Sequence, residues 1–120
     1  AKYGTYTNKV ADNVAGYVIP QACGNHTRVR YATITNATGA GLKITGGAPL
    51  SFSALPYTSH ELEVAFHHYE LPPVHKTVLS INAQEMGVGG DDSWGARPEA
   101  RFELPGNENY EYSFVIEPTK

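Results

Sequence analysis

Cysteine is nearly absent: Cys23 is the only one among 120 residues. One thiol excludes an internal disulfide framework and any multi-cysteine zinc site. No stretch approaches the roughly 18 consecutive apolar residues of a membrane-spanning helix, so no membrane partner is expected. The opening residues Ala1-Lys2-Tyr3-Gly4 precede no apolar run, so no signal peptide is expected either. The cytoplasm is the expected compartment, with a periplasmic or secreted location left open. Charged side chains are sparse at 18%. The net charge of −3, with a pI near 5.9, argues against a nucleic-acid binder. Catalytic signatures are missing as well. There is no Gly-x-Ser-x-Gly elbow. His60-Glu61 begins like a zinc-protease motif, but Val64 stands where the second histidine belongs.

Apolar residues make up 41%, which is enough for one domain spanning residues 1–120. The charge is unevenly spread. Residues 1–60 carry five basic side chains against Asp12 alone, and residues 61–120 carry four basic against eleven acidic. Attraction between the halves within one fold is the simpler expectation, ahead of a partner. Gly and Pro total 20 residues and separate short β-type runs. Thr27 to Thr35 reads as a strand with Arg28, Arg30, Ala32 and Ile34 on one face. Asn36 to Gly39 reads as a turn, and Gly41 to Thr45 as the returning strand of a hairpin. Gly46-Gly47-Ala48-Pro49 is expected to break the chain before a strand at Leu50 to Leu55. Further strands are expected at Lys76 to Ala83, Glu99 to Leu104 and Tyr110 to Ile116. In the last, Tyr110, Tyr112, Phe114 and Ile116 alternate with polar residues, the pattern of a half-buried strand. Thr58-Ser59-His60-Glu61 fits a capping box, with Leu62, Ala65 and Phe66 at helical spacing. One short helix is expected over 59–67, ending before Pro72-Pro73. No clear period runs from Tyr3 to Ile19. The whole predicts an all-β fold, an antiparallel β-sandwich with one short helix.

His60, His67 and His68 share part of the helix surface, but three metal ligands with supporting partners do not follow from that spacing. They read as surface or hydrogen-bonding histidines. Cys23 reads as a small buried thiol. Asn25-His26-Thr27 and Asn36-Ala37-Thr38 match the glycosylation acceptor pattern, which matters only in a secreted eukaryotic chain. The most informative segment is Met86-Gly-Val-Gly-Gly-Asp-Asp-Ser-Trp-Gly95. Its glycines cannot form a P-loop without a following Lys-Ser/Thr, and they suggest a tightly turned backbone instead. The segment ends on Asp91, Asp92 and Trp94. One reading folds Trp94 into the core. The other makes it an aromatic platform beside acidic hydrogen-bond partners, a combination that suits a sugar. The residues alone leave both open. Adjacent Asp91 and Asp92 do not suit the roughly 5 to 9 Å separation of a glycosidase carboxylate pair.

The Met86–Gly95 segment resembles the motif near the C-terminus of bacterial β-galactosidases of glycoside hydrolase family 2. Tyr17-Val-Ile-Pro-Gln-Ala-Cys-Gly-Asn-His-Thr27 resembles that family's Tyr-x-x-Pro-Gln-Glu-x-Gly-Asn-x-Thr segment. Leu55-Pro-Tyr-Thr-Ser-His-Glu-Leu62 and Leu79-Ser-Ile-Asn82 agree in order and spacing. One departure stands out: the family commonly has Glu where this chain has Ala22, so a partner of Arg28 or Arg30 is lost if the two pair in relatives.

The resemblance implies that the chain is a C-terminal portion of a much larger enzyme that hydrolyses terminal β-galactosides. It implies part of a supersandwich like that of galactose mutarotase. The catalytic glutamates and the magnesium ligands would lie in a TIM-barrel domain outside this chain, so the chain alone is expected to be inactive. The remaining domains and the galactoside substrate are the implied partners. Trp94 would stack on the substrate or its aglycone. Gly87, Gly89 and Gly90 would shape its loop, and Asp91 and Asp92 would fix the loop's geometry. A structural sodium would be held by main-chain oxygens of Ile19, Pro20, Leu55 and Thr58. The alternative is a free-standing carbohydrate-binding module. Uncovered strand edges also predict some self-association of the isolated chain.

Overall fold

The computed structural model describes residues 3–14, 24–65, 67–85 and 94–119. Among the described residues four strands form one sheet: β1 (His26–Thr35), β2 (Gly41–Leu55), β3 (Val78–Asn82) and β4 (Phe114–Thr119). β2 is the central strand, neighbouring β1, β3 and β4. Among the described residues a single short helix, α1 (Ser59–Val64), follows β2, and 3₁₀ turns lie at Val10–Asn13, His68–Glu70 and Ala100–Phe102. This is the mostly antiparallel, all-β, sandwich-like architecture that the composition and periodicity predict. The chain divides into two compact units, residues 1–26 with 52–81, and residues 27–51 with 82–120.

The first unit is built on the end of β2 and on α1. Every residue from Leu50 to Tyr57 is buried, as a central strand covered on both faces requires. Leu55, Tyr57, Leu62 and Ala65 form a core cluster, with Val14 and Leu71 packed against it. Leu62 is 1% exposed, and burying such a side chain stabilises by about 1.5 to 3 kcal/mol. The capping box forms as the sequence predicts. Glu61 N–H donates to Thr58 Oγ1 at 3.1 Å, and Thr58 N–H donates to Glu61 Oε2 at 2.8 Å. The helix ends at Val64, short of the expected 67, with Ala65 already extended. Asn13 ties its turn to β2 by donating from Nδ2 to the Ala54 carbonyl at 2.9 Å. Gly24 has a φ of +64°, and a Cβ there would lie 2.8 Å from the Asn13 carbonyl oxygen. Only glycine suits both demands.

The second unit carries β1, the first part of β2, and β4. The β1–β2 hairpin turns on Asn36. Its Oδ1 accepts from the Thr38 amide at 2.9 Å, the Thr38 hydroxyl at 2.6 Å and the Ala40 amide at 3.2 Å. Along β1, Ala32 and Ile34 are half-buried as alternation predicts. Nearer the start the pattern fails. Arg28 adopts a φ of 56°, outside extended geometry, and Val29 is half-buried where Arg28 and Arg30 are exposed. β4 pairs antiparallel with β2, from Gly41 opposite Thr119 to Gly46 opposite Phe114.

Four sequence expectations are corrected. Gly46 to Pro49 does not interrupt the chain, and β2 runs through it. The ladder to β4 continues past Gly46, with the Gly47 amide donating to the Ser113 carbonyl at 3.1 Å. A Cβ at Gly46 would sit only 2.8 Å from Leu50 Cγ, so glycine there permits a close approach and does not break the strand. Glu99 to Leu104 is not a strand but a 3₁₀ turn over Ala100–Phe102. Its polar-apolar alternation is too short to impose pairing without a partner edge. The strand expected at Lys76 to Ala83 shortens to Val78–Asn82. The last strand starts at Phe114, not Tyr110, and is not half-buried. Phe114, Val115 and Ile116 are 38%, 56% and 52% exposed.

Candidate functional site

Trp94 is 85% exposed, so the reading that folds it into the core is overturned. A large ring held in water is costly to leave uncovered and marks a surface available to a ligand or another domain. Gly95 follows at a φ of +146°, with nothing within 4 Å of where a Cβ would stand. The turn beside the indole is therefore open on that side. Gly87, Gly89, Gly90, Asp91 and Asp92 lie outside the described residues, as do Cys23 and Ala22.

Of the four main-chain positions implied for sodium, Ile19 and Pro20 also lie outside the described residues. Leu55 ends β2, and Thr58 caps α1 three residues later. The Thr58 carbonyl accepts from Leu62 N–H at 3.2 Å. Among the described residues no three His, Cys, Asp or Glu side chains come together as a metal site. His67 stacks on Tyr69 with ring centroids 5.3 Å apart, and His75 Nδ1 lies 3.0 Å from the Pro73 carbonyl. No described helix is long and apolar enough to cross a membrane.

Glu61 is the most perturbed carboxyl described. A hydrogen bond from Lys76 Nζ, with the Thr58 amide second, holds it below its ordinary value. This pair braces α1 against the segment leading to β3. It is also an ion pair within the acidic half. The other, Arg101 with Glu99, is in the same half. The expected attraction between basic and acidic halves is thus not realised as an ion pair among the described residues.

The sequence reading missed a groove on the second unit. About 440 Å³ in volume, it is lined by Arg30, Tyr31, Lys43, Gly46, Gly47 and Pro49. Lys43 Nζ lies 5.2 Å from the centroid of the Tyr31 ring. The cluster of Arg28, Arg30 and Lys43 in a basic half was the available signal, but only the hairpin brings Lys43 over Tyr31.

Residues 1–116 match the family model described as the β-galactosidase small chain. The chain belongs to the β-galactosidase small-chain family. Relatives named β-galactosidase in Priestia megaterium and Halalkalibacterium halodurans are 42% and 44% identical over 98% and 97% of this chain. The chain spans only 11% and 12% of their length. A β-galactosidase small subunit from Latilactobacillus sakei is 36% identical over 93% of the chain, which spans 42% of that relative.

Proposed function

We propose that this β-galactosidase small-chain domain is the C-terminal portion of a family 2 glycoside hydrolase and contributes Trp94 to substrate binding. The observation that carries the reading is the match of nearly the whole chain to a small fraction of each large relative. The hydrolytic glutamates and their magnesium then belong to a barrel domain elsewhere in the parent, and this domain hydrolyses nothing alone. Trp94, exposed at 85%, supplies a flat apolar face for the C–H side of a sugar, chiefly the aglycone sugar. The glycine run at 87, 89 and 90 shapes the loop, and Asp91 and Asp92 set its geometry. A sodium at main-chain oxygens of Ile19, Pro20, Leu55 and Thr58 would brace the turn after β2. The apolar side chains of β4 are covered by the rest of the parent's sandwich. In the isolated chain they favour self-association, which concentration-dependent light scattering would read. The expected compartment is the cytoplasm, with a periplasmic or secreted location as the alternative.

The test compares two preparations on lactose and on a chromogenic galactoside. The isolated chain should show no turnover, and measurable turnover would sink the reading. In the parent enzyme, Trp94→Ala should lower kcat/KM for lactose by about 2- to 12-fold, the worth of one ring contact. An unchanged kcat/KM for lactose would remove Trp94 from the site. The exposure of Trp94 also supports a second reading, a free-standing carbohydrate-binding module. That reading requires the isolated chain to bind galactosides and Trp94→Ala to abolish the binding.

A further inference from the structure

Among the described residues the basic side chains of the hairpin have no anionic partner, although the chain as a whole is acidic at −3. The two ion pairs described use Lys76 and Arg101, so no carboxylate meets Arg28, Arg30 or Lys43 among the described residues. Lys43 is the telling case. Its Cα stands directly opposite that of Glu117 in the β2–β4 register. Its ammonium nevertheless turns to the Tyr31 ring, at 5.2 Å, on the wall of the groove. Arg30 lines the same groove and is exposed. Thr45, Gly46, Gly47, Ala48 and Pro49 also line it.

We infer that this groove docks an acidic polypeptide segment lying outside these 120 residues, one carboxylate facing Arg30 and Lys43. The inference goes beyond the galactosidase reading and does not depend on it. Three features favour a polypeptide carboxylate. A guanidinium fork matches a carboxylate in two parallel hydrogen bonds. An aromatic ring and a proline among the lining residues offer apolar surface to the methylenes that a Glu side chain carries and a free ion lacks. The groove, about 440 Å³ and open to solvent, has room for an extended segment.

The experiment titrates the isotope-labelled chain with poly-L-glutamate, and separately with inorganic phosphate and poly-L-lysine, following backbone amide shifts. Poly-L-glutamate should move the amides of Arg30, Tyr31, Lys43, Gly46 and Gly47, and added salt should reverse the shifts. Arg30→Gln should weaken binding about fivefold, as loss of one exposed ion pair implies. Arg30→Glu with Lys43→Glu should abolish the localised shifts. The neutral Arg30→Gln variant keeps the test valid if the double reversal fails to fold. Equal shifts with phosphate would make this a free-anion site and overturn the proposal. Shifts confined to other residues, no binding, or binding unaffected by Arg30→Gln would each overturn it too.

Discussion

The core cluster of the first unit and the β4 side of the second handle their apolar residues in opposite ways, although Ile44 and Leu50 of the second unit are also buried. In the first, Leu55, Tyr57, Leu62 and Ala65 pack together at 9% exposure or less. In the second, Tyr31, Leu42, Tyr110, Tyr112, Phe114, Val115 and Ile116 are between 38% and 56% exposed. Both units have well-formed backbone pairing, so hydrogen bonding does not separate them. The difference is a second layer. α1 and the turn at Val10–Asn13 belong to the first unit with the end of β2, and the β4 side chains have no such cover among the described residues. A ladder can order a strand without burying its side chains, and an ordered but uncovered strand is a surface prepared for a neighbour.

The comparison is sharpest at Leu62. Leu62→Ala should cost about 2 to 5 kcal/mol, read as a large fall in the thermal midpoint. A cost below 1 kcal/mol would mean that the first unit is not the stabilising core. Next comes the helix cap. Thr58→Ala removes the acceptor for the Glu61 amide and should cost about 0.5 to 2 kcal/mol in chemical denaturation.

Acidification should loosen the same region more gently. The Glu61 carboxyl is lowered from an ordinary value of 4.5. A depressed carboxyl adds stability that is fully present above its unfolded value and lost as pH falls through its folded value. Between about pH 7 and 5 the α1 amides should therefore keep their protection in hydrogen exchange, and below 4.5 they should lose it. In Glu61→Gln this pH step should disappear. The smallest effect is expected in the second unit. Ile116→Ser should change the stability of the isolated chain by about 0.5 kcal/mol or less, because an exposed side chain has little burial to lose. A cost like that of Leu62→Ala would erase the contrast between the units.

Local signals carried the fold a long way. The hairpin at Asn36, the capping box at Thr58 and the β-rich character of 27–35 were legible because turns, caps and alternation act over a few residues. The break expected at Gly46 to Pro49 and the strand expected at Glu99 to Leu104 failed for one reason. Whether an extended segment joins a sheet depends on a partner strand, and Ser113 and Phe114 supply one only to the first. Among site residues, the segment around Trp94 pointed to an aromatic platform or a core residue with equal force. The surroundings in space decided for the exposed ring.

By itself the sequence determined the class of fold, the start of its helix and its family, since the motifs that carry these are short and contiguous. Tertiary structure decided which apolar residues are buried and where the basic side chains gather. Alternation reports that a strand has two different faces, but not whether anything lies against either. Likewise Lys43 meets Tyr31, and not the Glu117 opposite it, only once the hairpin has closed.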